Sequence, residues 1–329
     1  MKFILALLTS LLIAYPQDVS TSKLILADKS TVQKLTIKNK NLTLSLIPSL
    51  GAKIISIKDR NGKEYLSRST LTYKKRSKIK KYSQTEYDGI DECFISMHGK
   101  YPLAPFKDKV IKTHGPLIYK EWKWLKEEKG ISLEAKLDDW KLTFKRELFL
   151  NENSIILHYT LTNHSKFDFY FLYAFQPLFA ASKGTKVNWP LMTKIKPAYS
   201  SKNFLAKQGK TLNWFEVKNA KNEFLLSAQF VPNSKRYYKY YTVEPLSEAT
   251  LEHADGRRLK LQWDKKVLPA MAVWSNEGAY GKLNQIGLQP TTSRFEAIAE
   301  AFKANESKYV RGNSELSWKI TLTIEPSDK

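Results

Sequence analysis

The sequence predicts an all-β protein folded as a large antiparallel sandwich. Short segments with period-two alternation recur along almost the whole chain, turn residues punctuate them at regular spacing, and only one stretch carries a helical period. Aromatic residues make up 12% of the chain, which favours strands with aromatic faces over long Leu/Ala helices. A chain of 329 residues can bury a sizeable core. No composition shift, Pro/Gly-rich linker or internal repeat marks a boundary, so one domain of more than about fifteen strands is the economical reading.

In chain order, residues 1–15 read as a targeting segment. Lys2 supplies a short positive region, and residues 3–15 form an apolar stretch of secretory length, too short to span a bilayer comfortably. Ala14-Tyr15-Pro16 is not a clean small-x-small site, so cleavage is placed at about residues 15–23. The signal is assigned to residues 1–22 and the domain to 23–329. No Cys follows the apolar stretch, which argues against a lipid anchor. The expected product is secreted or periplasmic, without stable membrane insertion once the signal is removed.

Residues 42–47 alternate as Leu-Thr-Leu-Ser-Leu-Ile and residues 53–58 run Lys-Ile-Ile-Ser-Ile-Lys, with turns at 48–51 and 59–62, a β-hairpin pattern. Residues 72–82 concentrate positive charge without a clear period and read as an exposed loop. A meander follows, with strands expected at 122–126, 131–137, 140–150, 154–162 and 167–179. Further strands are expected at 223–231, 236–245, 259–263, 267–274 and 316–324, with a tight turn at Asp255-Gly256. Residues 293–304 carry the one helical pattern, Phe295, Ile298, Ala299 and Phe302 on a face and Ser293 as N-cap.

Lys and Arg number 54 against 32 Asp and Glu, a formal charge of +22. That excess fits either a well-solvated lysine-rich surface or attraction to anionic polymers such as sulfated or uronate polysaccharides. Nucleic acid is disfavoured by export and by the absence of a helix-turn-helix, zinc or RNA-binding motif. Cys93 is the only cysteine, so no intrachain disulfide forms and stability rests on the core.

Four patches could carry chemistry. In residues 286–295, Ile-Gly-Leu-Gln-Pro-Thr-Thr-Ser-Arg-Phe, Pro290 cannot donate to a ladder, so the strand should end there and hand Gln289 to a cleft. Gln176 before Pro177 repeats that logic at the exit of the most apolar strand. Residues 87–94 set Asp88, Asp91 and Glu92 beside aromatic groups, as an acidic solvent-facing loop or a sugar-binding cluster. Thr113-His114-Gly115-Pro116, followed by Trp122 and Trp124, is an exposed turn or part of a site.

Taken together these stretches resemble the aldose 1-epimerase (galactose mutarotase-like) family. Residues 42–66, with Ile-Pro-Ser-Leu-Gly-Ala-Lys-Ile-Ile-Ser-Ile and then Asn-Gly-Lys-Glu-Tyr-Leu, are similar to its opening hairpins. Asp-Glu-Cys-Phe, His114-Gly115 leading to Trp122, Asn163 after a long strand, Phe-Gln-Pro-Leu-Phe, and Gly-Leu-Gln-Pro-Thr-Thr followed by Ala301 are similar to later landmarks in the same order. The resemblance covers about residues 33–325 and implies a β-supersandwich with one short helix near its C-terminus and a carbohydrate site on a concave sheet. No cofactor or metal is implied.

Family enzymes interconvert sugar anomers with a Glu base and a His acid, a second His-Gly histidine steadying the sugar oxygens. This sequence departs from that pattern: His114 matches the His-Gly position, but Gln176 and Gln289 stand where the acid and the base are expected. A carboxamide donates and accepts hydrogen bonds but cannot shuttle the proton, and each lost acid or base typically costs about 10²- to 10⁴-fold. The resemblance therefore implies an exported carbohydrate-binding protein without ordinary mutarotase activity, contacting a mono- or oligosaccharide, neutral or anionic, through His114, Gln176, Gln289, Asp91, Glu92 and Trp122. The alternative is an active epimerase or related sugar isomerase that uses relocated groups, Asp91, Glu92 and His114. Arg68 and Asp255 stay open as counterparts of the family's ring-binding Arg and Asp.

Overall fold

In a computed structural model the described residues are 17–188, 194–201, 204–205, 210–214 and 230–325. The targeting segment at 1–15 and most of the strand expected at 223–231 lie outside them. Two antiparallel sheets pack face to face. The larger runs from the edge strand Asp18–Ile25 through Thr31–Lys38, Leu42–Ile47, Lys53–Asp59, Ile90–Ile95, Phe169–Ala180, Asn284–Thr291, Ala270–Glu277, Arg236–Thr242 and Lys194–Ser200 to Leu212–Asn213. The smaller has eight strands, with Ser154–Asn163 between Leu142–Asn151 and Ser314–Glu325 at its centre.

Period two positions these strands. Leu142–Asn151 buries Leu142, Phe144, Arg146, Leu148 and Leu150, and turns the residues between them outward. Most of the expected strands appear with ends shifted by a residue or two. Asp18–Ile25 pairs along its whole length with Thr31–Lys38, so the sheet begins within the stretch where the sequence reading places signal cleavage.

Three further expectations are corrected. The strands do not stop at the prolines, because Pro177 lies inside Phe169–Ala180 and Pro290 inside Asn284–Thr291. Proline's φ suits extended chain, and each proline keeps its register with the strand on its other side, Pro177 with Ile90 and Pro290 with Met271. Residues 90–95 form a central strand with every residue buried, so Asp91 and Glu92 are not on an acidic loop. The helix is only Ile298–Lys303. Ser293 does not cap it; its Oγ accepts the Phe295 N–H and holds a turn ahead of the helix.

Between the sheets the inner face of Ile90–Ile95 carries a buried polar cluster. Glu92 accepts from Arg146 Nη1 at 2.8 Å, Tyr159 hydroxyl at 2.9 Å and Tyr173 hydroxyl at 2.7 Å, and Arg146 also donates to the Ala52 carbonyl at 2.6 Å. The Arg146 guanidinium lies 5.4 Å from the Trp122 ring centre, and the indole N–H of Trp122 donates to the Leu117 carbonyl. Both Glu92 and Trp122 are core residues.

Candidate functional site

The opposite, concave face of the same sheet carries a cavity of about 270 Å³. Register builds its floor. Lys239 pairs with Trp274, Trp274 with Gly287 and Gly287 with Leu178, so these positions form one cross-strand row. Two residues along on the same face, Ala272 pairs with Gln289 and Gln176 with Asp91. Pairing between Phe169–Ala180 and Asn284–Thr291 is interrupted between Ala174–Thr291 and Leu178–Gly287, with unchanged register on either side. Gln176 therefore stands directly opposite Gln289, and the missing proline donors fall in that interruption.

Gly287 leaves the space that the Gln289 amide occupies. A Cβ built there would come within 3.2 Å of Gln289 Nε2 and of the Pro177 carbonyl oxygen. Gln176 accepts from Cys93 Sγ at 2.7 Å and donates to the Tyr82 hydroxyl at 3.3 Å, so its amide is oriented from behind.

Loops supply the walls. His114 has φ +69° and Gly115 φ +79°, a left-handed pair in which the His114 N–H donates to the Met97 carbonyl at 2.7 Å. A Cβ on Gly115 would lie 1.8 Å from the Phe94 carbonyl oxygen, which is why glycine follows the histidine. The His114 ring stacks on Tyr82 with centroids 3.6 Å apart, and its Nδ1 is buried without a hydrogen-bond partner among the described residues. Glu296, in the chain after Asn284–Thr291, pairs with Lys239 at 2.6 Å. Tyr87, Trp274 and Tyr280 complete an aromatic side, and His98 stands exposed at the rim.

Burial sets the electrostatics. Desolvation pushes the His114 imidazole down to about 3, against the pull of Asp91 and Glu296, so it is neutral at physiological pH. Burial opposes the charge on Lys239, but Tyr241, Glu296 and Tyr199 hold its ammonium well above the usual range. Burial raises the Glu296 carboxyl, and Lys239 more than reverses this, leaving it below the usual carboxylate range.

The sequence-predicted residues thus divide. His114, Gln176 and Gln289 line one cavity. Asp91 lies on the same face but does not reach it, because Tyr82 covers it: Asp91 Oδ2 accepts from Lys53 Nζ at 2.8 Å and from the Tyr82 hydroxyl at 3.2 Å. Glu92 points to the other side of the sheet and Trp122 sits in the core, so neither enters the cavity. Sequence reasoning missed Lys239, Glu296, Tyr82, Trp274 and Tyr280. A lysine inside the aromatic run Arg-Tyr-Tyr-Lys-Tyr-Tyr-Thr was a usable signal, since a charge at a buried strand position needs a partner or a ligand. No trio of His, Cys, Asp or Glu suited to a metal occurs among the described residues.

The fold is that of the galactose mutarotase-like proteins, the architecture the sequence resemblance implied. A candidate aldose 1-epimerase of Klebsiella pneumoniae superposes with a TM-score of 0.70 at 16% identity, over 94% of this chain and 84% of that one. A galactose mutarotase-like protein of Clostridium acetobutylicum gives 0.65 at 15% identity, covering 94% and 99%. A candidate aldose 1-epimerase of Escherichia coli K12 gives 0.65 at 11%, with the same coverage. At these identities the likeness is one of fold. No protein-family model and no curated protein matches the sequence.

Proposed function

We propose that the protein binds one neutral sugar ring in this cavity and does not interconvert its anomers by the acid–base route. The observation that carries this reading is the pair of opposed carboxamides, Gln176 and Gln289, on the floor beneath a neutral His114. Carboxamides and a neutral imidazole offer donors and acceptors to hydroxyls, and the carboxamides cannot exchange protons near neutrality. Lys239 and Glu296 compensate one another, so the lining presents no uncompensated floor charge to an anionic ring. A cavity of about 270 Å³ lies at the small end of ligand sites, the scale of a single ring.

The alternative of an active epimerase with relocated groups has less support, since Asp91 and Glu92 are both spent on buried partners outside the cavity. Export belongs to the proposal as well and rests on the charge and apolar pattern of residues 1–15. Saturation-transfer NMR with a panel of free aldoses tests the binding. Signal is expected for at least one neutral aldose, with affinity about tenfold weaker in Gln289→Ala, the worth of one or two hydrogen bonds. A blank panel, or binding indifferent to Gln289→Ala, overturns the reading.

A further inference from the structure

Residues 73–88 look aperiodic in sequence but are ordered with a period of three. Tyr73, Arg76, Ile79, Tyr82, Thr85 and Asp88 are all buried. Three of them are tied down by their polar tips: the Tyr73 hydroxyl donates to Asp88 at 2.9 Å, Arg76 Nη1 to Glu86 at 3.1 Å and the Tyr82 hydroxyl to Asp91 at 3.2 Å. Between Tyr73 and Thr85 the intervening residues face outward, and five of these are lysines. Lys78 pairs with Asp28 at 3.0 Å, whereas Lys74, Lys75, Lys80 and Lys81 have no ion-pair partner among the described residues. Buried anchors on every third residue make this a held strap of positive charge rather than a loose loop.

The strap joins two recesses. Tyr82 and Ser83 line the cavity, and Lys75, Arg76 and Ser77 line a separate groove of about 1250 Å³ that also carries Trp124 and Lys123. At the groove end Glu86 takes one edge of the Arg76 guanidinium. Nε and Nη2, the other edge, are buried and have no hydrogen-bond partner among the described residues. That edge is a two-pronged donor of the shape that grips a carboxylate or sulfate. The nearby carboxylates Asp88 and Asp91 share one ammonium, that of Lys53, and the groove is lined by Glu121, Glu127 and Glu134 as well as by Lys123 and Lys145, while the strap itself contributes Lys75, Arg76 and Ser77.

We propose that the strap is the track for an acidic saccharide chain, carboxylated or sulfated, whose terminal neutral ring enters the cavity. This rests on the sugar-binding reading of the cavity. The cavity's compensated charges assign the neutral ring to it, and the unpaired lysines with the Arg76 fork take the chain's negative groups. Continuity with a ring-sized, aromatic-lined recess favours a saccharide over nucleic acid, which the lysines alone would also attract.

The test is a binding titration of the full chain against polygalacturonate, dextran sulfate, neutral dextran and a single-stranded DNA oligonucleotide across a salt series. The proteins are the wild type, a strap variant with Lys74, Lys75, Lys80 and Lys81 changed to Gln, and a control with the exposed Lys107, Lys136, Lys265 and Lys303 changed to Gln. The wild type is expected to bind a uronate or sulfated polymer and not dextran. The strap variant should lose about tenfold or more in affinity at low salt, with a shallower salt dependence, while the control keeps its affinity. The two anionic polymers distinguish carboxylate from sulfate recognition. Equal losses in both variants, DNA bound as tightly as either acidic saccharide, or no binding of either polymer overturns the proposal. Aldose binding measured in the same proteins separates the two readings: it should survive in the strap variant, and its absence from the wild type would fail the cavity reading instead.

Discussion

Asp91 and Glu92 are adjacent in sequence and face opposite sides of one strand, and the polar groups gathered on the two sides are treated differently. On the inner side both Glu92 carboxylate oxygens are bound by Arg146, Tyr159 and Tyr173, and the atoms left without a partner among the described residues, Arg146 Nε and Trp318 Nε1, are shut between the sheets. On the concave side His114 Nδ1 has no hydrogen-bond partner among the described residues, and its ring lines the cavity. Burial alone does not separate structural from functional polar residues. The separation comes from access: the inner cluster is shut between two packed sheets, and the concave one lies beside an opening that a ligand can enter.

The sharpest way to break this comparison is to open the closed side. Glu92→Gln leaves Arg146 buried without its counter-charge and should cost about 3–5 kcal/mol of stability, measured by urea unfolding. A loss below about 1 kcal/mol would mean that the inner cluster is not the structural one. Next in size is a gain on the concave side. Changing Gln176 to His and Gln289 to Glu together should create anomer exchange at least about 10²-fold above the wild-type protein if those positions are the seats of an acid and a base. A folded double variant with no activity would remove that correspondence.

The smallest effect is in pH. His114 titrates at about 3 in the folded protein against an ordinary 6.5, so below pH 6.5 the unfolded chain takes up a proton that the folded one refuses. The histidine's contribution to stability is therefore complete above pH 6.5 and is lost as pH falls toward 3. His114→Gln lacks this loss, so its stability relative to wild type should improve between pH 7 and pH 4.5, followed by denaturant unfolding at several pH values. A difference that stays constant with pH would show that the imidazole is not desolvated.

Much of the sandwich was legible because period two is a local property. The hairpin at Leu42–Ile47 and Lys53–Asp59 and the meander from Gly130 to Asn163 follow from alternation and turn residues alone. The strap was not legible, since a buried Arg76 breaks any apolar count and its period of three exists only through contacts with Glu86 and its neighbours. Trp122 misled for a related reason: an aromatic after a His-Gly turn suggests a cleft wall, and only packing shows it beneath Phe144 and Arg146. Gln176 and Gln289 were singled out by their prolines, although those prolines mark a gap in a ladder and not the end of a strand. Glu296 gave no local signal, because its partner Lys239 is 57 residues away in the chain.

The most direct test of the central claim follows anomer exchange in a sugar that the cavity binds. Two-dimensional exchange NMR on the α and β anomers of a binding aldose, with and without the wild-type protein, should show the ligand's signals perturbed and the exchange rate equal to that in buffer. A wild-type acceleration that disappears in His114→Gln would contradict the account and make the cavity the active site of an epimerase.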